Sequence, residues 1–191
     1  MIEVTHEISA ASQRIATPLA LAALGELVTE KSGVLNLGVE GIMYGSAFVG
    51  IATAAQTGSL TAGLIAALVT GAAAGLIFAF LTVTLGVNQH VAGLGLTLFM
   101  ISFSNSANRI MFTADGGQVS VDPWRPFNFG GPIFSQYWIT YATFLIIVPL
   151  TWWLMRRSGL GLKIRAVGEN PEAADVAGIN VTKTRYTAIL I

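Results

Sequence analysis

The sequence predicts an all-α fold, a polytopic transmembrane helical bundle with one short cytoplasmic helix, on three observations. The 191 residues are 53% hydrophobic and only 10% charged, with 21 glycines and a mean hydropathy of +0.68, whereas charged residues make up about a quarter of an ordinary soluble domain. The charges are segregated: nine of the twenty lie between Arg156 and Arg185, while the stretch from Ser32 to Asn108 carries only Glu40. The apolar runs approach the roughly 20 residues that a membrane-crossing helix needs, without the ~10-residue alternation of a transmembrane barrel.

Composition excludes several classes of function. The absence of cysteine removes disulfides, thiolate metal sites and a cysteine nucleophile. Ten basic residues balance ten acidic ones, and no basic face suggests a nucleic-acid partner. No G-x-x-x-x-G-K-[ST] stretch is present to cradle nucleotide phosphates, and no nucleophile elbow or histidine-carboxylate grouping suggests an intramembrane enzyme. His6 and His90 have no partners at metal-site spacing, so no metal site is expected. The polar, acidic start MIEVTHEISAASQR lacks the basic opening of a cleavable signal, which leaves the first spans to direct insertion.

Each element follows from the chain in order. Ile15 to Val28 is a short apolar run interrupted by Pro18 and Glu26, a weak span that is either tilted or re-entrant. Val34 to Ala55 is long enough to cross, but Asn36, Glu40 and the small residues Gly38, Gly41, Gly45, Ser46 and Gly50 suit a helix packed inside protein, whether continuous or broken. Leu60 to Leu85 is the cleanest span. Its Gly71-Ala-Ala-Ala-Gly75 stretch, like Gly41 and Gly45, has the spacing that lets helices approach closely.

Asn88-Gln89-His90 interrupts the apolar pattern before Val91 to Met111 resumes it, and Ser102, Ser104, Asn105, Ser106 and Asn108 make the second half of that span polar. Thr113 to Gln136 holds three prolines, paired glycines and no helical period, which predicts a loop outside the bilayer. Tyr137 to Met155 is a further span, bracketed by Tyr137-Trp138 and Trp152-Trp153, aromatic pairs suited to the headgroup level. Six of the ten Lys and Arg residues follow in Arg156 to Arg185, so the positive-inside bias makes 156–185 cytoplasmic and 113–136 external. If all five segments cross, the N-terminus is external; if the first does not, it is cytoplasmic. Tyr186 to Ile191 opens another apolar run, so residues 1–191 are expected to be one transmembrane domain, incomplete at its C-terminus, with further spans after Ile191.

Within the cytoplasmic segment, Asn170 to Gly178 predicts a short helix with each boundary specified. Asn170 can cap, Pro171 suits the first turn, Glu172 favours the positive end of the dipole and Gly178 can supply a left-handed stop. Two turns are not stable alone, and Ala173, Ala174 and Ala177 leave a small surface for close docking. The residues fit either a docking element or a capped turn between spans.

The stretch from Gly161 to Ile179 resembles the cytoplasmic loop of ABC importer permeases of the simple-sugar and nucleoside branch, the ribose-type and branched-chain-amino-acid-type family. Gly25-Glu26 with Glu30 to Gly41, and Val87 to Leu94, resemble two further stretches of that family in the expected order. The distal part of the family loop, an isoleucine and a leucine-proline pair, has no counterpart before Ile191. The resemblance implies ATPase coupling through Arg165, Glu169, Asn170, Pro171, Glu172, Ala173, Ala174 and Gly178. It also implies an ABC ATPase subunit carrying ATP and Mg, a second permease subunit, an extracytoplasmic solute-binding protein and a small polar solute, a nucleoside or simple sugar. This chain is then a transporter subunit of the bacterial cytoplasmic membrane that binds no cofactor itself.

Candidate pathway residues are the polar groups inside or between spans: Asn36, Glu40, Asn88, Gln89, His90, Asn105 and Asn108. Asn36 and Glu40, four apart, would share one helical face, either as a polar stripe along the path or as a packing pair. Asn88, Gln89 and His90 either line the passage or form an interfacial turn, and Asn105 and Asn108 either line the outer pathway or pack on a neighbour. The alternative class is an ion-gradient-driven secondary transporter, which predicts internal repeats and paired intramembrane acids. The chain shows no repeat, and Glu40 is the only acid deep in a span. A non-transporting scaffold would leave the bounded helix at Asn170 to Gly178 without a purpose.

Overall fold

The computed structural model describes residues 2–112, 121–128 and 135–191, with the side chains of the first few and of Asn128 and Ser135 excepted. Nine helices are described: α1 (Ile2–Glu30), α2 (Val39–Thr57), α3 (Leu60–Ala79), α4 (Gln89–Phe112), α5 (Trp138–Ala142), α6 (Val148–Arg157), α7 (Gly159–Glu169), α8 (Pro171–Val176) and α9 (Val181–Leu190). One antiparallel pair of two-residue strands, β1 (Phe127–Asn128) and β2 (Ser135–Gln136), joins them, a small addition to the all-α expectation. Among the described residues two helical stretches are long and apolar enough to cross a membrane, Leu60–Thr84 and Trp138–Arg157.

The chain divides into two compact units, 1–27 with 124–162 and 28–123 with 163–191. In the first, α1 is one long helix, and the short apolar run expected at Ile15 to Val28 is only its C-terminal half. Ser, Gln and Glu are compatible with a helix although they are not apolar, so apolarity marked too short an element. The buried Gln136 donates from Nε2 to the Ala10 carbonyl (3.2 Å) and accepts from Arg14 Nε (3.4 Å). Thr17 and Thr140 hydroxyls meet at 3.2 Å. The second span is α5, a wide turn over Thr143–Ile147 and α6. The Val148 N–H bonds the Thr143 carbonyl five residues back, just before Pro149, whose ring would clash with the carbonyl four residues earlier and has no N–H to donate. Trp138, Trp152 and Trp153 remain exposed as interfacial anchors would, and the Arg156 guanidinium lies 5.8 Å from the Trp152 ring centre.

The second unit is built on α2, α3 and α4, connected by short turns. Gly58, at φ +67, ends α2 and Ser59 caps α3. Its core is Val34, Ala74, Phe78, Ala92, Leu96 and Met100, with Ile42 and Ile189 packed against it. Glycine sets the distances between helices: a Cβ on Gly41 would strike Thr97, one on Gly45 would lie 2.5 Å from Met100 Cε, and one on Gly63 would lie 2.5 Å from the Gly50 carbonyl. The Gly41–Gly45 pair therefore marks a close contact, with α4. Gly71 and Gly75 are looser, facing Ser46 at 3.3 Å and Ile189 at 3.8 Å.

The expected helix from Val34 to Ala55 begins only at Val39. Gly33, at φ +81, ends α1, with the Gly33 and Val34 N–H groups bonding the Glu30 and Thr29 carbonyls. The chain then runs without helix to Gly38, where Asn36 Oδ1 accepts from the Gly38 N–H at 3.0 Å. Non-helical backbone in a membrane domain is tolerated where protein buries it, and Ser32, Val34, Asn36 and Gly38 are all buried.

Candidate functional site

Two regions can do chemistry or recognition. The first is α8. Asn170 Oδ1 accepts from the Ala173 N–H at 3.0 Å, Pro171 occupies the first turn and Glu172 lies beside the positive helix end. At the other end Gly178 takes φ +83, its N–H bonding the Asp175 carbonyl (2.8 Å) while the Ile179 N–H bonds that of Ala174 (2.9 Å). Only Ala174 of α8 is buried, and Glu172, Ala173, Asp175, Val176, 91% exposed, and Ala177 are open. Arg165 and Glu169 lie on α7, both exposed. Residues 156–185, expected as one charged segment, thus fold as α7, α8 and the start of α9.

α7 and α9 are anchored to the end of α1. A Cβ on Gly168 would strike the Lys31 carbonyl and lie 3.2 Å from the Gly33 nitrogen. Arg185 Nε donates to the Ser32 carbonyl at 3.3 Å, and the Thr29 hydroxyl reaches the Ala188 carbonyl at 3.4 Å. The same turn is gripped from α4: Gln89 Oε1 accepts from the Leu35 N–H (2.7 Å) and its Nε2 donates to the Gly33 carbonyl (3.4 Å). One helical turn further, a Cβ on Gly93 would lie 2.9 Å from the Gly38 nitrogen, and after another the Thr97 hydroxyl reaches the Leu37 carbonyl at 3.3 Å. Gln89, Gly93 and Thr97 form a single stripe at fourfold spacing.

This placement separates the polar residues expected to act together. Asn36 lies in the non-helical stretch and Glu40 in the first turn of α2, exposed, so the two do not share a helical face as their spacing suggested. Gln89 is occupied with backbone. Asn88 caps α4, its Oδ1 accepting from the His90 N–H at 3.0 Å, and His90 is exposed. Asn88 and Gln89 thus make the turn that was one of their two readings. Among the described residues no group of three His, Asp or Glu side chains gathers to hold a metal ion.

Asn105 and Asn108, roughly 24 and 29 Å along α4 from Gln89 at ~1.5 Å per residue, do converge. They line a cavity of about 260 Å³ between α2 and α4, with Tyr44, Phe48 and Ile51 from α2 and Ser104 and Phe112 from α4. The Tyr44 hydroxyl donates to Asn105 Oδ1 at 2.9 Å. Ser104 stood out in the sequence only as one of several polar residues of its span, whereas Tyr44 and Phe48 were not singled out. Their signal is the spacing of Tyr44, Ala47, Phe48 and Ile51, one face of a helix whose neighbours are mostly small.

Two stretches apolar and long enough to cross a membrane, non-helical backbone buried in protein and a polar-edged cavity are features of a membrane-integral helical protein. The chain belongs to the family described as the branched-chain amino acid transport system / permease component, whose model matches residues 10–191. It is 37% identical to a putative glucose ABC transporter permease of Haloferax volcanii over 95% of this chain and 57% of that protein. It is 28% identical to a guanosine ABC transporter permease of Bacillus subtilis, over 100% of this chain and 65% of the relative. A nucleoside ABC transporter permease of Lactococcus lactis is 29% identical over 92% of this chain and 60% of its own length. The chain therefore spans about three-fifths of the curated relatives it matches. No solved structure matches it.

Proposed function

We propose that this chain is the membrane-spanning permease subunit of an ATP-driven ABC importer, moving a nucleoside or simple sugar across a bacterial cytoplasmic membrane in which it is a multi-pass protein. Family membership and the names of its relatives support the class. The observation that carries it is α8, a fully capped two-turn helix with one buried residue and an otherwise open face. Such a helix needs a partner to hold it, and an ATPase subunit is the partner the family supplies. A second permease subunit, identical or not, and an extracytoplasmic solute-binding protein complete the assembly, with ATP and Mg carried by the ATPase.

In this reading the ATPases close on ATP and displace α8. Because α7 and α9 grip Ser32 and Gly33, and Gln89 grips the same turn, the displacement reaches α4 through direct contacts. A coupling element shifts an equilibrium only if its contacts differ between the two states. Replacing Glu172 with arginine and Gly178 with alanine tests this in the assembled transporter. The expected result is intact assembly in the membrane with ATP hydrolysis no longer linked to uptake. Unchanged uptake in the double variant would overturn the role given to α8.

A further inference from the structure

The cavity between α2 and α4 carries a more specific assignment, which rests on the reading of the chain as a solute permease. We propose that it binds a planar heterocyclic ring, the base of a nucleoside-type solute, between apolar walls and a hydrogen-bonding edge supplied by α4.

The first observation is Ser104. Hydroxyls elsewhere in these helices bond the carbonyl four residues back, as Thr53, Thr70, Thr82, Thr143 and Thr151 do at 2.8 Å, which satisfies them without water. Ser104 is 1% exposed, its Oγ has no hydrogen-bond partner, and it lines the cavity. A buried hydroxyl left unpaired is unfavourable, and a ligand atom in the cavity supplies the missing bond. Ser46 Oγ is also buried and unpaired, but it faces Gly71 of α3 and is not part of the cavity lining.

The second observation is the Tyr44–Asn105 bond. With its oxygen accepting from the Tyr44 hydroxyl, the Asn105 amide keeps its N–H groups for a ligand acceptor. Asn108, one turn further along α4, adds a second amide. The polar edge is thus rich in donors and confined to α4 and the tip of Tyr44.

The remaining lining decides between the solute classes. Phe48, Ile51, Ala52 and Phe112 offer nothing to a hydroxyl. A sugar carries hydroxyls around its whole perimeter and would leave some of them unpaired against these walls, at a cost in affinity. A heterocyclic base has two apolar faces for the aromatic walls and confines its hydrogen-bonding atoms to its rim.

The chain has no native cysteine, so Ser104→Cys places a single thiol in the cavity. The test measures its alkylation by N-ethylmaleimide in nanodisc-embedded permease, with guanosine, uridine or glucose at equal concentration and no ATP. Guanosine and uridine are expected to slow alkylation by about five-fold, the factor mass action gives at about four times Kd, and glucose to leave it nearly unchanged. Asn108→Cys should show the same order and serves if Ser104→Cys does not fold, whereas Ser46→Cys should respond to none of the three. Equal protection by glucose, or no protection by either nucleoside, overturns the proposal. Uptake is scored separately with the ATPase and solute-binding protein present, so protection without ATP-driven uptake upholds the cavity while removing the permease reading, and ATP-driven uptake without protection does the reverse.

Discussion

The helix at Asn170–Gly178 and the helix-free stretch at Ser32–Gly38 both end in or contain a glycine of left-handed conformation next to it, yet they are held in opposite ways. The first is fixed by its neighbours: Asn170 reaches Ala173 three residues away, and Gly178 bonds Asp175. The second is fixed by residues far along the chain, Gln89 at a separation of 54 from Leu35 and Arg185 at 153 from Ser32. The difference teaches that the ends of α8 are set by local capping, although so short a helix still needs a partner to hold it, whereas the break is held by three other elements that close around it. In the proposed coupling the break is the place where motion of α8 would reach α4.

Perturbing the two regions should therefore give different results. Gly168→Val should have the largest effect, because the added side chain meets the Lys31 carbonyl and Gly33 backbone with no flexible neighbour to yield. Overpacking of this kind costs about 3 kcal/mol, read as a clear drop in thermal unfolding temperature in detergent. Gln89→Ala comes next, leaving the Leu35 N–H and the Gly33 carbonyl without their side-chain partner, a loss of about 2 kcal/mol. If it leaves stability untouched, α4 does not hold the break.

Asn170→Ala should cost only about 1 kcal/mol, the usual value of an N-cap, and leave the unfolding temperature of the membrane domain nearly constant. Its effect should instead appear as hydrogen exchange of Ala173 and Ala174, faster than in the native chain while the exchange of α4 is unaltered. Tyr44→Phe is the mildest, removing one exposed hydrogen bond to Asn105 worth about 0.5 kcal/mol. It should weaken nucleoside protection of Ser104→Cys without changing stability.

The same contrast explains what was legible in the sequence. Asn170, Pro171, Glu172 and Gly178 announced their helix because capping is chemistry between residues a turn apart, and the structure places each in its expected role. The span at Leu60 was legible from apolarity alone. Val34–Gly38 was not, because Val34, Leu35 and Leu37 are as apolar as helix residues and the side chains that meet this backbone, Gln89 at Leu35 and Thr97 at Leu37, are distant in sequence. Gln89 itself was read as facing a passage or forming a turn, since an amide suits a solute and a backbone equally. The cavity was half legible: Asn105 and Asn108 stood out as polar groups in an apolar run, while Tyr44 and Phe48 looked like ordinary helix surface until α4 was placed opposite them.

The central claim is that solute movement through this chain is driven by ATP through α8. The most direct measurement is uptake of radiolabelled guanosine into proteoliposomes holding the permease with its ATPase and solute-binding protein, with ionophores present to collapse proton and sodium gradients. The account predicts uptake that requires ATP, persists with the ionophores and is lost when Glu172 and Gly178 are replaced together. Uptake that proceeds without ATP and disappears with the ionophores would contradict it.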